Sequence, residues 1–145
     1  MLDPEQNVML YATSAHGMEL VERYRDLASW AALAPPLAEE LRQLASERER
    51  LMDAFRQEVL SEGGRPKAGD PDREFIDSLA DRWWSSLSGL PAAFARLQQA
   101  EQVWLDDILL LSHQDWSAPL AELLISLSLH GHRSQEQLSW IADHC

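Results

Sequence analysis

The residues of this chain best suited to chemistry are carboxylates and imidazoles scattered over well-separated stretches: Glu22, Glu47, Glu101, His130 and His132. Carboxylate oxygen and imidazole nitrogen together bind divalent first-row metals. A helical bundle builds a two-iron centre from a Glu on each of two helices and a Glu-x-x-His pair on each of the other two. Three residues is close to one helical turn, so that spacing turns both donors of a pair inward. Neither pair is present here. Glu47 is followed at the third position by Arg50, whose guanidinium repels a cation, and the residues three before His130 and His132 are Leu127 and Leu129. His130 and His132, two apart, point to different faces of any helix. Glu22, Glu47, Glu101 and His130, with His132 as a substitute for the last, therefore stand only as an irregular ligand set for which iron is the ion to consider. The plainer expectation is solvated carboxylates and histidines that lie at the surface or are hydrogen-bonded.

A sharper pattern comes from charges that interrupt apolar stripes. Arg48 falls between Leu44 and Leu51, and Glu101 falls between Leu97 and Trp104, each where the stripe would place an apolar residue. Both are expected to turn inward and meet as an internal ion pair, Arg48 with Glu101 or with Glu22. The alternative is that both sit at the stripe edge and reach water along flexible stems.

Other chemistries find no support. The chain lacks a Gly-rich phosphate loop and a Gly-x-Ser-x-Gly elbow, and its single cysteine, Cys145, is the last residue, with no second cysteine for a disulfide or a zinc site. Met52 lies beside Leu51 and Phe55, as a core-filling methionine does. The formal net charge of -12 repels a phosphate backbone and an anionic membrane alike, so neither nucleic acid nor membrane is expected as a partner. The acidic start, Met1-Leu2-Asp3-Pro4-Glu5, does not resemble a secretory signal, and the expected location is the cytoplasm.

The elements that must position these residues are all helical. Asp3-Pro4 caps a first helix running to about Ala34, where Pro35-Pro36 interrupts it. From Leu37, apolar residues at 37, 41, 44, 51, 55 and 59 mark a second helix that ends near Glu62. A loop rich in Gly and Pro follows, then a short amphipathic helix over 72–88 that carries Phe75, Ile76, Leu79, Trp83 and Leu87. A third long helix over about 91–113 aligns Phe94, Leu97, Trp104, Ile108 and Leu111, and a fourth from about 117 to 143 aligns Leu120, Leu124, Leu127, Leu138 and Ile141. Four such stripes bury one another most simply as a four-helix bundle, a single domain over 1–145. The short links after helices one and three demand antiparallel hairpins. The link of about 28 residues between helices two and three is long enough to return along the bundle. The alternative is an up-down-up-down bundle with the short helix capping one end.

The succession Leu44-Ala45-Ser46-Glu47-Arg48-Glu49-Arg50, Gly63-Gly64-Arg65-Pro66, Arg82-Trp83-Trp84, Ala100-Glu101 and a His-containing last helix resembles a bacterial family of ferritin-like domains of unknown function. The similarity extends from about Leu10 to Ile141, and the family looks related to the ferritin and rubrerythrin group. The resemblance implies an all-α, ferritin-like bundle with a long crossover containing a short extra helix, and it raises the question of a two-iron centre. The expected function is that of a non-enzymatic module working by self-association or by docking a protein partner; the alternative is an iron-binding or redox protein. Trp83 and Trp84, consecutive and so about 100° apart on a helix, cannot both face one groove. One is expected to pack on the bundle, and the other, with Phe75 or Trp116, to form an apolar patch covered in a homodimer. Glu39 with Arg42 and Glu47 with Arg50, three apart, suggest a solvated helix face.

Overall fold

The computed structural model describes residues 2–65, 80–85 and 89–145, and these are helical throughout apart from turns, without a strand. The helices are α1 (Pro4–Ala28), α2 (Pro35–Ser61), a single short turn of helix α3 (Ala80–Trp84), α4 (Gly89–Ser112) and α5 (Ala118–His144). Each long helix begins where the sequence offers a start. Asp3 caps α1 by accepting from the Gln6 N–H at 2.7 Å, while the Gln6 side chain accepts from the Asp3 N–H, and Pro4 sits in the first turn. Ser117 caps α5 ahead of Pro119. α2 has no side-chain cap; the two prolines hold Ala34 in an extended conformation and fix the entry.

α1 ends six residues earlier than its composition suggests. The chain must reverse before Pro35, and residues 29–34 do so in tight turns, with Leu33 folded back into the core. Alanines favour helix, but an antiparallel hairpin of this width needs the reversal more. α2, α4 and α5 begin and end within about two residues of their predicted limits, the ordinary uncertainty of helix ends. Of the short helix expected over 72–88, Ala80–Trp84 is helical; residues 72–79 and 86–88, with Phe75, Ile76, Leu79 and Leu87, lie outside the described residues.

The four long helices form a ring in which α1 packs on α2 and α4, and α5 packs on α2 and α4. Every neighbouring pair runs antiparallel. Between α2 and α5, Glu62 meets Ser117 at one end, and Glu47 meets Arg133 further along. Between α1 and α4, Met9 lies by Gln114, Thr13 by Trp104 and Tyr24 by Glu101. The diagonal helices α2 and α4 are therefore parallel. α2 exits beside the start of α1, where the Asn7 amide bonds both the N–H and the carbonyl of Arg65. α3 sits at the other end, where the Trp84 indole donates to Asp26 at 3.0 Å and packs edge-on against Trp30. The connection from α2 to α4 thus starts at one end of the bundle and finishes at the other, which excludes an up-down-up-down order.

The core is a continuous apolar column of Leu10, Leu20, Leu27, Leu41, Met52, Phe55, Phe94, Leu97, Ile108, Leu127 and Leu138 with their neighbours. Two glycines let the helices close up midway along it. A Cβ on Gly17 would sit 2.8 Å from the Met52 side chain, and one on Gly131 would sit 2.9 Å from Leu105 Cγ. The tryptophans differ from expectation: Trp83, Trp84 and Trp116 are all partly buried against the core. Trp83 packs edge-on to Trp84 and under the Arg96 guanidinium, while the Trp116 indole donates to the Leu111 carbonyl. Among the described residues, the large exposed apolar side chains are mostly aliphatic ones on α4 and α5, with Val8 on α1, Leu60 on α2 and Trp140 besides.

Candidate functional site

Midway along the bundle, beside both glycines, the apolar column is interrupted by four polar side chains, one from each long helix: Tyr24, Arg48, Glu101 and His130. Each lies on the inward line of its helix. Arg48 is four residues after Leu44, Glu101 is four after Leu97, and Tyr24 is seven after Gly17. Arg48 and Glu101 are both 0% exposed.

The geometry is that of a network that ties the four helices together. Arg48 Nη2 donates to Glu101 Oε2 at 2.6 Å, and the Tyr24 hydroxyl donates to Glu101 Oε1 at 2.6 Å. Arg48 Nε donates to His130 Nδ1 at 2.9 Å. The guanidinium lies over the Trp104 ring, 4.1 Å from its centroid, and that indole donates to the Thr13 carbonyl, which holds the ring in place. The Ser134 hydroxyl lies 3.5 Å from His130 Nδ1, one turn along α5. The internal ion pair suggested by the interrupted stripes is therefore present, between Arg48 and Glu101.

Protonation states follow from these contacts. Burial lowers the pKa of His130 to about 4, helped by the Arg48 and Arg133 charges and opposed by Glu47, so the ring is neutral at pH 7. A neutral imidazole has one bare nitrogen, and Arg48 Nε–H occupies it at Nδ1; the proton therefore sits on Nε2. That N–H points outward toward Glu47, whose Oε1 is 3.5 Å away. Burial, with the Glu101 carboxylate beside it, raises the Tyr24 phenol well above its usual pKa, so it remains a donor. The charges of this network reduce to one cation and one anion in contact, which is the condition under which burying them is tolerable.

The residues considered as metal ligands are placed differently from one another. Glu101 has each carboxylate oxygen engaged by a 2.6 Å bond. Glu47 binds Arg133 across the α2–α5 groove, so its expected partnership with Arg50 on a solvated face is replaced by an interhelical one. Glu22 pairs with Arg25 at 3.1 Å, and Arg25 also holds Glu49 at 2.9 Å, which removes Glu22 as the partner of Arg48. His132 is exposed, on a different face from His130. Among the described residues, no three or more His, Cys, Asp or Glu side chains are grouped to share a metal ion. Glu39 and Arg42 pair at the surface as expected. Met52 is buried in the core, and Cys145 is exposed with a free thiol. No described helix is long and apolar enough to cross a membrane.

Sequence reasoning missed Tyr24, Ser134 and the buried Arg23, whose Nε lies 3.3 Å from Asp26. A signal existed for Tyr24, because it continues the line of Leu10, Gly17 and Val21. None existed for Arg23, which belongs to the end of α1 where the helix is covered on several sides. Compared with family models, with curated proteins and with solved structures, the chain matches none.

Proposed function

We propose that this chain is a non-enzymatic, ferritin-like helical bundle of a bacterial cytoplasm that acts through its surface, by self-association or by docking a protein partner. The ferritin-like reading is supported by the connectivity: antiparallel hairpins α1–α2 and α4–α5 joined by one end-to-end crossover between parallel diagonal helices are the connections of that fold.

The observation that carries the reading is the place of Arg48. Its guanidinium stands between Glu101, the fully buried carboxylate among the described residues, and the largely buried imidazole of His130; it holds one oxygen of the first and occupies the bare nitrogen of the second. The residues present do not fit an iron ion: binding one would require displacing the Arg48 guanidinium from His130 Nδ1, or moving the His130 proton off Nε2, and would set the ion beside a buried positive charge. The network instead serves as an internal cross-tie among all four helices. The test is to purify the protein untagged, add ferrous iron without oxygen, remove the excess and measure iron per chain beside Glu101→Ala. Less than about one-tenth of an ion per chain in both is the expected result; stoichiometric iron, lost in the variant, would establish the metal-binding alternative.

A further inference from the structure

We infer that two copies of this chain associate about a twofold axis through α5, with Ile125 and Leu129 at the centre; this rests on the reading that the bundle acts through its surface. On α5, Glu122, Ile125, Leu129 and Arg133 follow steps of three, four and four, which return to within about 20° of one line after three turns. All four are exposed, Ile125 at 57% and Leu129 at 65%, whereas Leu120, Leu124, Leu127, Leu138 and Ile141 of the same helix are buried. Leu51 of α2 borders Leu129 in the groove between the helices and widens the apolar patch.

The charges at its two ends choose the occupant. The line runs acid, apolar, apolar, base, which is complementary to itself when reversed. A twofold axis between Ile125 and Leu129 lays Ile125 on Leu129 of the partner subunit and Glu122 on Arg133 of the partner subunit, and each contact occurs twice. Arg133 already holds Glu47 of its own chain, yet it is half exposed and a guanidinium has five N–H donors, so a second carboxylate fits. The other exposed aliphatic run, Val103, Leu109 and Leu110 on α4, is flanked by Asp106 and Asp107; reversing it would set acid against acid. With a net charge of -12 on each copy, approach is least opposed where Arg50 and Arg133 border the patch.

Sedimentation of the purified chain over a concentration series up to about 1 mM tests this, with helicity and melting followed alongside. A reversible dimer is expected, and Leu129→Glu abolishes it without changing helicity. Glu122→Arg and Arg133→Glu each weaken association about tenfold or more, because like charges then meet at two symmetric places. An equimolar mixture of those two variants regains the dimer, since each then meets the opposite charge; a misfolded variant would not recover in this way. A parent that remains monomeric, or a dimer indifferent to all three substitutions, overturns the interface. A monomer that binds no iron would sink this interface alone, whereas a dimer that binds stoichiometric iron would sink the metal-free reading alone.

Discussion

Substituting Glu101 by Gln isolates the charge of the buried pair from its shape. The amide is the same size as the carboxylate. Its oxygen accepts from Arg48 Nη2, and its NH₂ donates to Tyr24 if the phenol rotates to become the acceptor, so both 2.6 Å contacts keep a hydrogen-bonded partner. What disappears is the anion that, among the described residues, pairs with the Arg48 guanidinium, itself 0% exposed. Neutral His130 cannot replace it, and the Trp104 face supplies only part of the lost attraction. Leaving one partner of a buried pair uncompensated costs about 3–5 kcal/mol. For a chain of this size that corresponds to a fall in Tm of about 6–20 °C. Urea and thermal denaturation followed by circular dichroism read both quantities. The companion variant, Arg48→Met together with Glu101→Gln, removes the stranded charge and should recover most of the loss. A Glu101→Gln protein within about 1 kcal/mol of the parent would refute the reasoning, and so would a double variant no more stable than the single one.

Two further expectations concern the same level of the bundle. His130 titrates near 4 in the fold against 6.5 in the unfolded chain, so above pH 6.5 it is neutral in both states and contributes nothing. As pH falls from 6.5 to 4 only the unfolded state gains the proton, and stability drops by about 1.4 kcal/mol at pH 5.5 and about 3 kcal/mol by pH 4, levelling off below. His130→Gln, whose amide oxygen still accepts from Arg48, should flatten that part of the urea-denaturation profile relative to the parent; an unchanged slope would contradict the assignment. Gly131→Ala drives a methyl into the branch of Leu105 and should cost about 1–3 kcal/mol. Gly17→Ala meets the flexible end of Met52 and should cost less, an order that chemical denaturation of the two variants checks.

The helices were legible without coordinates. Their stripes repeat at 3.6 residues, their starts carry Asp3-Pro4, Pro35-Pro36 and Ser117-Ala118-Pro119, and the lengths of the links favoured a crossover, while only the packing excluded the up-down-up-down order. So were the two charges that break those stripes, because a stripe is a statement about which way a side chain points. Arg48 and Glu101 could be placed inward for the same reason as Leu44 and Leu97.

Which inward groups meet was decided only by the packing. Arg48 had two acidic partners on offer, and the choice of Glu101 over Glu22 depends on the rotation of α1, which brings Tyr24 inward and leaves Glu22 paired with Arg25 of the same helix. The tautomer of His130, the exchange of Glu47 from Arg50 to Arg133, and the packing of Trp84 against Trp30 all depend on distances between segments far apart in the chain. A sequence fixes the periodicity of each helix because that is a local property of the backbone. It leaves open the rotation and register of one helix against the next, which only the simultaneous packing of all four faces determines.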